Sequence, residues 1–181
     1  HLTGCDTAVF LVSASRVGSL SLEDEIALNV QPYQALLKAL ADEDFPLRHL
    51  IYVSSGGAVY GQAPPHPINE DFQTQAISAY GQGKVLIENS FIEASVDAPW
   101  NYTILRVANP VGGGQTKGLV KAAVDAACMG EDLCVWGDGS TVRDYFDVSD
   151  LANAVVACAR SEKALGKIYN VGSGTGTSIN D

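Results

Sequence analysis

The stretch that decides the fold lies in the first third of the chain, where residues 49–57 read His-Leu-Ile-Tyr-Val-Ser-Ser-Gly-Gly. Residues 50–53 form a continuous apolar run, and the two glycines end it. A short apolar run bounded by turn residues is typical of a strand that is buried on both faces. The sequence therefore predicts a buried strand over residues 49–54.

Helix-like and strand-like segments alternate on both sides of this stretch. Residues 21–41 predict an amphipathic helix that begins at a capping box of Ser21 and Asp24 and is interrupted at Pro32. Such an alternation requires right-handed crossovers and predicts a doubly wound α/β fold with a parallel sheet. The other predicted strands are 8–13, 102–107, 133–136 and 168–171, and the other predicted helices are 76–95, 117–129 and 149–160. Residues 172–176 predict a tight turn before a terminal helix capped by Ser178, with Asp181 at its third position.

Charge and composition exclude several classes of function. The chain has 181 residues with 11 basic and 21 acidic side chains, a net charge of −10. Nucleic acids and anionic membranes bind basic surfaces, so neither is an expected partner. The four cysteines form no C-x-x-C pair and predict reduced thiols with packing roles, as in the cytoplasm. The three histidines show no metal-ligand spacing, so no metal is expected.

Tyr80 and Lys84 stand at positions i and i+4 of a predicted helix, so they lie on one helix face. A nearby ammonium favours the phenolate and brings the tyrosine pKa toward the working range of a general base. The alternative is a tyrosine that packs on the sheet and a lysine on the solvated face. Tyr-x-x-x-Lys alone leaves both interpretations open.

The surrounding motifs resemble the extended short-chain dehydrogenase family, specifically its nucleotide-sugar epimerases and dehydratases. The similarity extends in order over nearly the whole chain and rests on several blocks. These blocks are residues 52–61 and 78–84, Leu-Arg-Val-Ala-Asn-Pro-Val-Gly at 105–112, Trp-Gly-Asp-Gly-Ser at 136–140, Arg-Asp-Tyr-Phe-Asp at 143–147 and Tyr-Asn-Val-Gly-Ser-Gly at 169–174. The resemblance implies a Rossmann-like sheet with a small interleaved α/β substrate-binding part, NAD as cofactor and a nucleotide-sugar substrate.

The resemblance also implies roles for individual residues near the cofactor. Tyr80 would be the catalytic base, and Lys84 would hold the nicotinamide ribose and depress the pKa of Tyr80. Ser54 and Val107 would line the cofactor site together with this pair.

On the substrate side, the resemblance implies contacts from Asn109, Arg143 and Gly56. A guanidinium suits a diphosphate because it donates two parallel hydrogen bonds. The alternative for Arg143 is a salt bridge to Asp144 or Asp147.

One departure from the family affects the catalytic hydroxyl. The family usually carries Ser or Thr at the position of Gly56, and Ser55 is the nearest substitute. Adjacent side chains on a strand point to opposite faces, so Ser55 can serve only if the backbone turns there. Gly56 and Gly57 permit such a turn.

The same turn favours one reaction over others in the family. Family dehydratases carry an Asp-Glu pair where this chain has Gly57 and Ala58, and decarboxylases use a Glu nearby. Epimerisation needs only the tyrosine base and NAD, so the sequence favours an epimerase of the UDP-glucose 4-epimerase type. The alternatives are an NADP-dependent nucleotide-sugar reductase and a non-catalytic family member that binds nucleotide or a protein partner.

The family pattern also sets expectations for organisation. The Gly-x-x-Gly-x-x-Gly turn and the acidic residue after it, which separates NAD from NADP enzymes, would precede residue 1, so the chain is expected to lack the first strands and the C-terminal end. Residues 1–110 are assigned to the NAD-binding part, and residues 111–181 mainly to the substrate-binding part, with segments that return to the sheet. By analogy with the family, a homodimer formed through two long helices is expected.

Overall fold

A four-stranded parallel sheet forms the centre of the molecule. Its strands, in spatial order, are Thr7–Phe10, His49–Ser55, Asn101–Val107 and Lys167–Val171. The computed structural model describes residues 4–15, 18–41, 46–62, 67–135 and 137–181. Two smaller pairs of strands are separate from the main sheet. Asn109–Val111 pairs in parallel with Tyr145–Asp147, and Val142–Arg143 pairs antiparallel with Thr177–Ser178. The strands are β1 (Thr7–Phe10), β2 (His49–Ser55), β3 (Asn101–Val107), β4 (Asn109–Val111), β5 (Val142–Arg143), β6 (Tyr145–Asp147), β7 (Lys167–Val171) and β8 (Thr177–Ser178).

Helices connect these strands and cover the sheet. The α-helices are α1 (Leu22–Glu25), α2 (Gln31–Leu40), α3 (Gly56–Val59), α4 (Ala79–Ala94), α5 (Leu119–Met129) and α6 (Val148–Ala159), with a π-helical turn at Ile26–Val30 and a 3₁₀ turn at Glu162–Ala164. None of the helices in the described ranges is long and apolar enough to cross a membrane.

One face of the sheet packs against α2 and α4 and holds the larger core. The Phe91 ring of α4 stacks on the Tyr52 ring of β2, with centroids 5.1 Å apart. Trp100, just before β3, is fully buried, and its indole Nε1 donates to the Leu40 carbonyl at 2.9 Å. These contacts fix α4 against β2, and α4 is the helix that carries the predicted catalytic pair.

The opposite face packs against α6. Ile51 and Leu105 are fully buried there and contact Leu151, Val155 and Cys158, among others. Helices on both faces of a parallel sheet confirm the doubly wound α/β prediction.

The long predicted helix over residues 21–41 forms in three parts. The capping box is confirmed, because Ser21 Oγ accepts from the Asp24 backbone N–H at 3.1 Å and donates to its carboxylate at 2.8 Å. The interruption predicted at Pro32 is a π-helical turn in the five residues before Gln31. Pro32 lacks an N–H, so the regular ladder cannot continue through it, and the turn absorbs the missing bond.

Three local predictions are wrong. Residues 133–135 form no strand, and Trp136 lies outside the described residues. Ser178 belongs to β8 and pairs with β5, although Asp181 Oδ2 accepts from its backbone N–H as the predicted cap requires. Cys158 alone packs in the core, whereas the thiols at positions 5, 128 and 134 are exposed.

Candidate active site

The site lies at the carboxyl edge of the sheet, where β2 and β3 end side by side. Ser55 is the last residue of β2, and Val107, its partner in register, is the last residue of β3. In parallel α/β sheets this edge is where ligands bind, because the loops leaving the strands open a crevice there.

Helix α4 begins at the same edge because of two sequence features. Ser78 is the N-cap, and its hydroxyl accepts from the Gly81 backbone N–H at 3.1 Å. A Cβ at Gly81 would lie only 2.4 Å from the Ala58 carbonyl oxygen, so glycine permits the close approach of α4 to α3. Tyr80, between these two residues, is thereby held in the first turn of α4.

The structure brings Ser55, Tyr80 and Lys84 together. β2 ends at Ser55 and α3 begins at Gly56, so the backbone turns where the catalytic use of Ser55 requires it. The Ser55 hydroxyl lies close enough to the Tyr80 phenol to lower the pKa of that phenol. Lys84 is only 5% exposed, and its Nζ lies 5.5 Å from the centre of the Tyr80 ring and 5.1 Å from that of Tyr52.

Burial dominates the titration of the pair. Desolvation lowers the pKa of Lys84 to about 8, against the opposing influence of Glu25 and Glu88. The pKa of Tyr80 is raised, because burial outweighs the influence of Ser55 that lowers it. Lys84 is not among the groups that shift the pKa of Tyr80 here, so its effect on the tyrosine stays a prediction. A further positive charge near the phenol would be needed to favour its phenolate.

Ser54 lies on the same face of β2 as Tyr52, the face that packs against α4. Its hydroxyl is buried and donates to Glu88 Oε1 at 2.5 Å. Glu88 also accepts from Arg106 in an ion pair with an N–O distance of 2.8 Å. The Ser54 side chain is thus part of an interior network that locks α4 to β3.

This network reaches a neighbouring cleft through residues that the sequence reasoning did not single out. Arg106 Nη1 donates to the Tyr60 hydroxyl at 3.0 Å, and Tyr60 in turn donates to Asn170 Oδ1 at 2.7 Å. The resemblance blocks contained all three residues, but only a structure shows that they link the end of α3 to β3 and β7.

A cleft of about 560 Å³ opens beside Gly56 and Tyr60. Gly56, Asn109 and Arg143 all line it, so the structure brings the three predicted substrate residues together. Asn109 Nδ2 donates to the Asp144 carbonyl at 3.2 Å, which ties β4 to the segment that carries Arg143.

Arg143 is exposed and available in this cleft. Its Nη1 donates to the carbonyl of its neighbour Val142 at 3.0 Å, and in the described parts of the chain it forms no ion pair with Asp144 or Asp147. Asp147 instead caps α6 by accepting from the Ser149 N–H at 2.7 Å. The salt-bridge alternative for Arg143 is therefore not what the structure contains.

Asp144 holds the glycine-rich turn after β7. Its carboxylate accepts from the Ser173 N–H at 2.9 Å, the Ser173 hydroxyl at 2.6 Å and the Gly174 N–H at 2.9 Å. A Cβ at Gly172 would lie 2.4 Å from Asp144 Oδ2, so a larger residue there would displace the carboxylate. The predicted turn over residues 172–176 is confirmed, and a carboxylate that the sequence analysis gave no such role organises it.

Gly56 lies where the family's usual hydroxyl residue would stand. A Cβ there would lie 3.1 Å from the Arg106 carbonyl oxygen, so a larger residue would require β3 to yield slightly. No cluster of three or more potential metal ligands occurs in the described residues.

The fold is a Rossmann-like α/β sheet, with Tyr80, Lys84 and a serine hydroxyl at its carboxyl edge. Comparison of the chain with known protein families identifies the family to which it belongs. The chain belongs to the NAD dependent epimerase/dehydratase family, whose model matches residues 2–172. The resemblance predicted from the motifs is thereby confirmed.

Two curated relatives have related names. The chain is 35% identical over 153 residues to the bifunctional UDP-glucose 4-epimerase and UDP-xylose 4-epimerase 3 of Arabidopsis thaliana, covering 72% of this chain and 44% of that protein. It is 33% identical over 162 residues to the UDP-glucose 4-epimerase of Bacillus subtilis, covering 77% of this chain and 47% of that protein. The chain thus spans about half the length of the curated relatives it matches.

Solved structures share the fold. MoeE5 in complex with UDP-glucuronic acid and NAD superposes with a TM-score of 0.86 at 26% identity, covering 99% of this chain and 60% of that one. The UDP-glucose 4-epimerase of Thermotoga maritima, solved with UDP-glucose, gives a TM-score of 0.84 at 27% identity, covering 97% and 58%. Together these comparisons confirm the Rossmann-like prediction.

Proposed function

We propose that the protein is an NAD-dependent nucleotide-sugar epimerase that inverts C4 of a UDP-hexose through a transient 4-keto sugar. The observation that carries the proposal is the convergence of Tyr80, Ser55 and Lys84 at the carboxyl edge of the sheet, beside a cleft lined by Arg143. The relatives named UDP-glucose 4-epimerase, and the neighbour solved with a UDP-sugar and NAD, support this choice.

The residues present fit a nicotinamide cofactor. Among the described residues, none forms an ion pair or a hydrogen bond with Lys84 Nζ, so the ammonium can donate to the hydroxyls of a ribose. Tyr80, Lys84 and the end of β3 at Val107 would hold the nicotinamide end. The Ser54 hydroxyl already donates its hydrogen bond to Glu88, so we assign the contact of Ser54 with the cofactor to its main chain.

In the proposed mechanism, Tyr80 and Ser55 handle the proton at the sugar C4 oxygen. The Tyr80 phenolate takes the hydroxyl proton, while the Ser55 hydroxyl donates its single hydrogen bond to the reacting oxygen and stabilises the charge that develops there. When bound, NAD supplies the acceptor and later the donor of the C4 hydride, and the positive charge of its oxidised ring favours the Tyr80 phenolate. Tyr80 then returns its proton to the oxygen of the inverted alcohol.

On the substrate side, we assign the diphosphate to Arg143 and a polar contact with the nucleotide-sugar to Asn109. The cleft has room beside Gly56 for the sugar to turn between the two hydride transfers. In this assignment residues 1–110 supply the cofactor half, and residues 111–181 mainly the substrate half, with α6 and β7 returning to the sheet.

We also propose a homodimer in the cytoplasm. The two long helical segments are the π-helical turn with α2, and α4. They expose the apolar side chains of Leu28, Leu36 and Leu86, which are 54%, 38% and 38% exposed and would suit a helical interface. Four unpaired thiols agree with a reducing compartment.

Turnover assays test the chemistry. In the full-length protein with NAD, we expect interconversion of UDP-glucose and UDP-galactose that falls roughly 10³-fold in Tyr80→Phe and about 10²-fold in Ser55→Ala. Tyr102→Phe, at the opposite end of β3, is the matched control and should retain activity. Full activity in Tyr80→Phe would refute the assigned base, and a wild-type protein that converts neither sugar would refute the substrate.

A further inference from the structure

Glu25, the last residue of α1, is a buried carboxylate that the proposed mechanism does not use. Its side chain is only 1% exposed, and its Oε2 atom is buried with no hydrogen-bond partner in the described residues. No cation of the described chain lies within 4.0 Å of it. A buried and unpaired carboxylate is costly, so its position needs a reason.

The π-helical turn fixes the orientation of this carboxylate. Asn29, within the turn, donates from Nδ2 to Glu25 Oε1 at 3.0 Å and to Ser15 Oγ at 3.1 Å. The Asn29 Oδ1 atom accepts from the Ala14 N–H at 2.8 Å. The amide is therefore engaged on both ends and holds one carboxylate oxygen, which leaves Oε2 free to act on other groups.

A glycine on α4 makes room for Glu25 beside the catalytic pair. A Cβ at Gly83 would lie 2.5 Å from Glu25 Cγ and 2.8 Å from its Oε1. Gly83 lies between Tyr80 and Lys84 in the middle of a helix, where glycine costs about 1 kcal/mol relative to alanine. The helix thus gives up stability at the point where the carboxylate touches it.

The charges around the pair single out Glu25. From α4, Glu88 also faces Lys84, but Glu88 is paired with Arg106. Tyr52 on β2 and Tyr33 on α2 are kept neutral, because burial raises the pKa of each. The negative charge of Glu25 has no such partner, and it raises the pKa of both Lys84 and Tyr80.

We propose that Glu25 is a positioning residue of the Tyr80–Lys84 pair: its buried carboxylate, oriented by Asn29 and seated against Gly83, acts electrostatically on the ammonium and the phenol. This inference rests on the proposed function for its catalytic meaning. The field of Glu25 acts through a dry interior, where charges influence each other strongly.

Two pH titrations of Glu25→Gln test the proposal. Loss of the carboxylate removes an attraction that stabilises the Lys84 ammonium, so the pKa of Lys84 should fall. It also removes a repulsion that disfavours the Tyr80 phenolate, so the pKa of Tyr80 should fall as well. Both limbs of the pH profile of UDP-glucose turnover should therefore move to lower pH by roughly one unit. The ultraviolet difference titration of the Tyr80 phenolate, isolated by subtracting the matching Tyr80→Phe variants, should move the same way without any need for turnover.

The controls separate this inference from a structural effect. Glu23→Gln removes an exposed carboxylate from the same helix and should move neither titration, and Glu25→Asp keeps the charge and should preserve both limbs. A folded Glu25→Gln variant with wild-type titrations would overturn the inference. If Glu25→Gln does not fold, Gly83→Ala, whose Cβ must displace the carboxylate, should give the same acid shift, and its absence would refute the proposal. A phenolate shift in a protein without epimerase activity would leave the role of Glu25 standing and remove the proposed function.

Discussion

Replacing Lys84 by methionine should stabilise the fold while abolishing the proposed activity. The lysine is 5% exposed, and burial lowers its pKa from 10.5 to about 8. That fall corresponds to about 3 kcal/mol by which the folded state disfavours the charged side chain. Methionine fills a similar volume without a charge. The lost contacts of the ammonium with the Tyr52 and Tyr80 rings offset part of the gain, about 1 kcal/mol, so we expect a net gain of roughly 2 kcal/mol.

The pH dependence of this gain follows from the direction of the pKa change. Below about pH 8, Lys84 is protonated in both the folded and unfolded states, so the wild type carries the full penalty. As the pH rises from about 8 toward 10.5, the folded lysine is neutral while the unfolded one is progressively deprotonated, and the penalty disappears. The advantage of Lys84→Met should therefore be largest near neutral pH and shrink in alkali.

Urea unfolding at several pH values, followed by circular dichroism, measures the effect. Lys38→Met, an exposed substitution on α2, is the control and should change the free energy of unfolding by no more than about 0.5 kcal/mol. A Lys84→Met variant less stable than the wild type near pH 7 would refute the reasoning, as would a gain that stays constant into alkali.

Two further substitutions test the geometry of the site. Gly81→Ala should lower the free energy of unfolding by about 1–3 kcal/mol, because its Cβ would lie 2.4 Å from the Ala58 carbonyl oxygen. A Cβ at Gly57 meets nothing within 4 Å, so Gly57→Ala is the control and should be close to neutral in thermal melts. Equal melting temperatures for the two alanine variants would contradict the close approach of α3 and α4. Arg143→Ala should raise the KM for UDP-glucose by roughly 30- to 100-fold with kcat largely retained, since a charge-assisted contact is worth about 2–3 kcal/mol, and an unchanged KM in steady-state assays would remove the arginine from the substrate site.

The sheet and the catalytic pair were predictable because their signals are local. Residues 50–53 form an apolar run, and the structure extends the strand predicted over residues 49–54 by one residue, to Ser55. The pair of Tyr80 and Lys84 needed only helical spacing and a resemblance in the surrounding motifs. Even the turn that makes Ser55 usable was visible as two glycines.

What the sequence did not reveal depends on contacts between distant segments. Glu25 looks like an ordinary acidic residue in the first turn of a helix, and nothing in its neighbourhood signals that it is buried against Gly83. β4 and β6 are three residues each, too short for any periodicity, and their paired residues are 36 positions apart in the sequence. Conversely, residues 133–136 have a strand's composition, but residues 133–135 form no strand, which shows that composition alone does not create strand pairing.

The clamp that Asp144 forms on the turn after β7 has a consequence for an acidic protein that would bind an anion. With a net charge of −10, the chain as a whole repels a diphosphate. Ser173 and Gly174 surround the carboxylate next to Arg143 with three donors. The Asp144 carboxylate is therefore held by these donors and forms no ion pair with Arg143, whose guanidinium provides a local positive charge on an acidic surface. Approach of a nucleotide-sugar would then grow easier as added salt screens the distant acids, until the salt also screens the arginine.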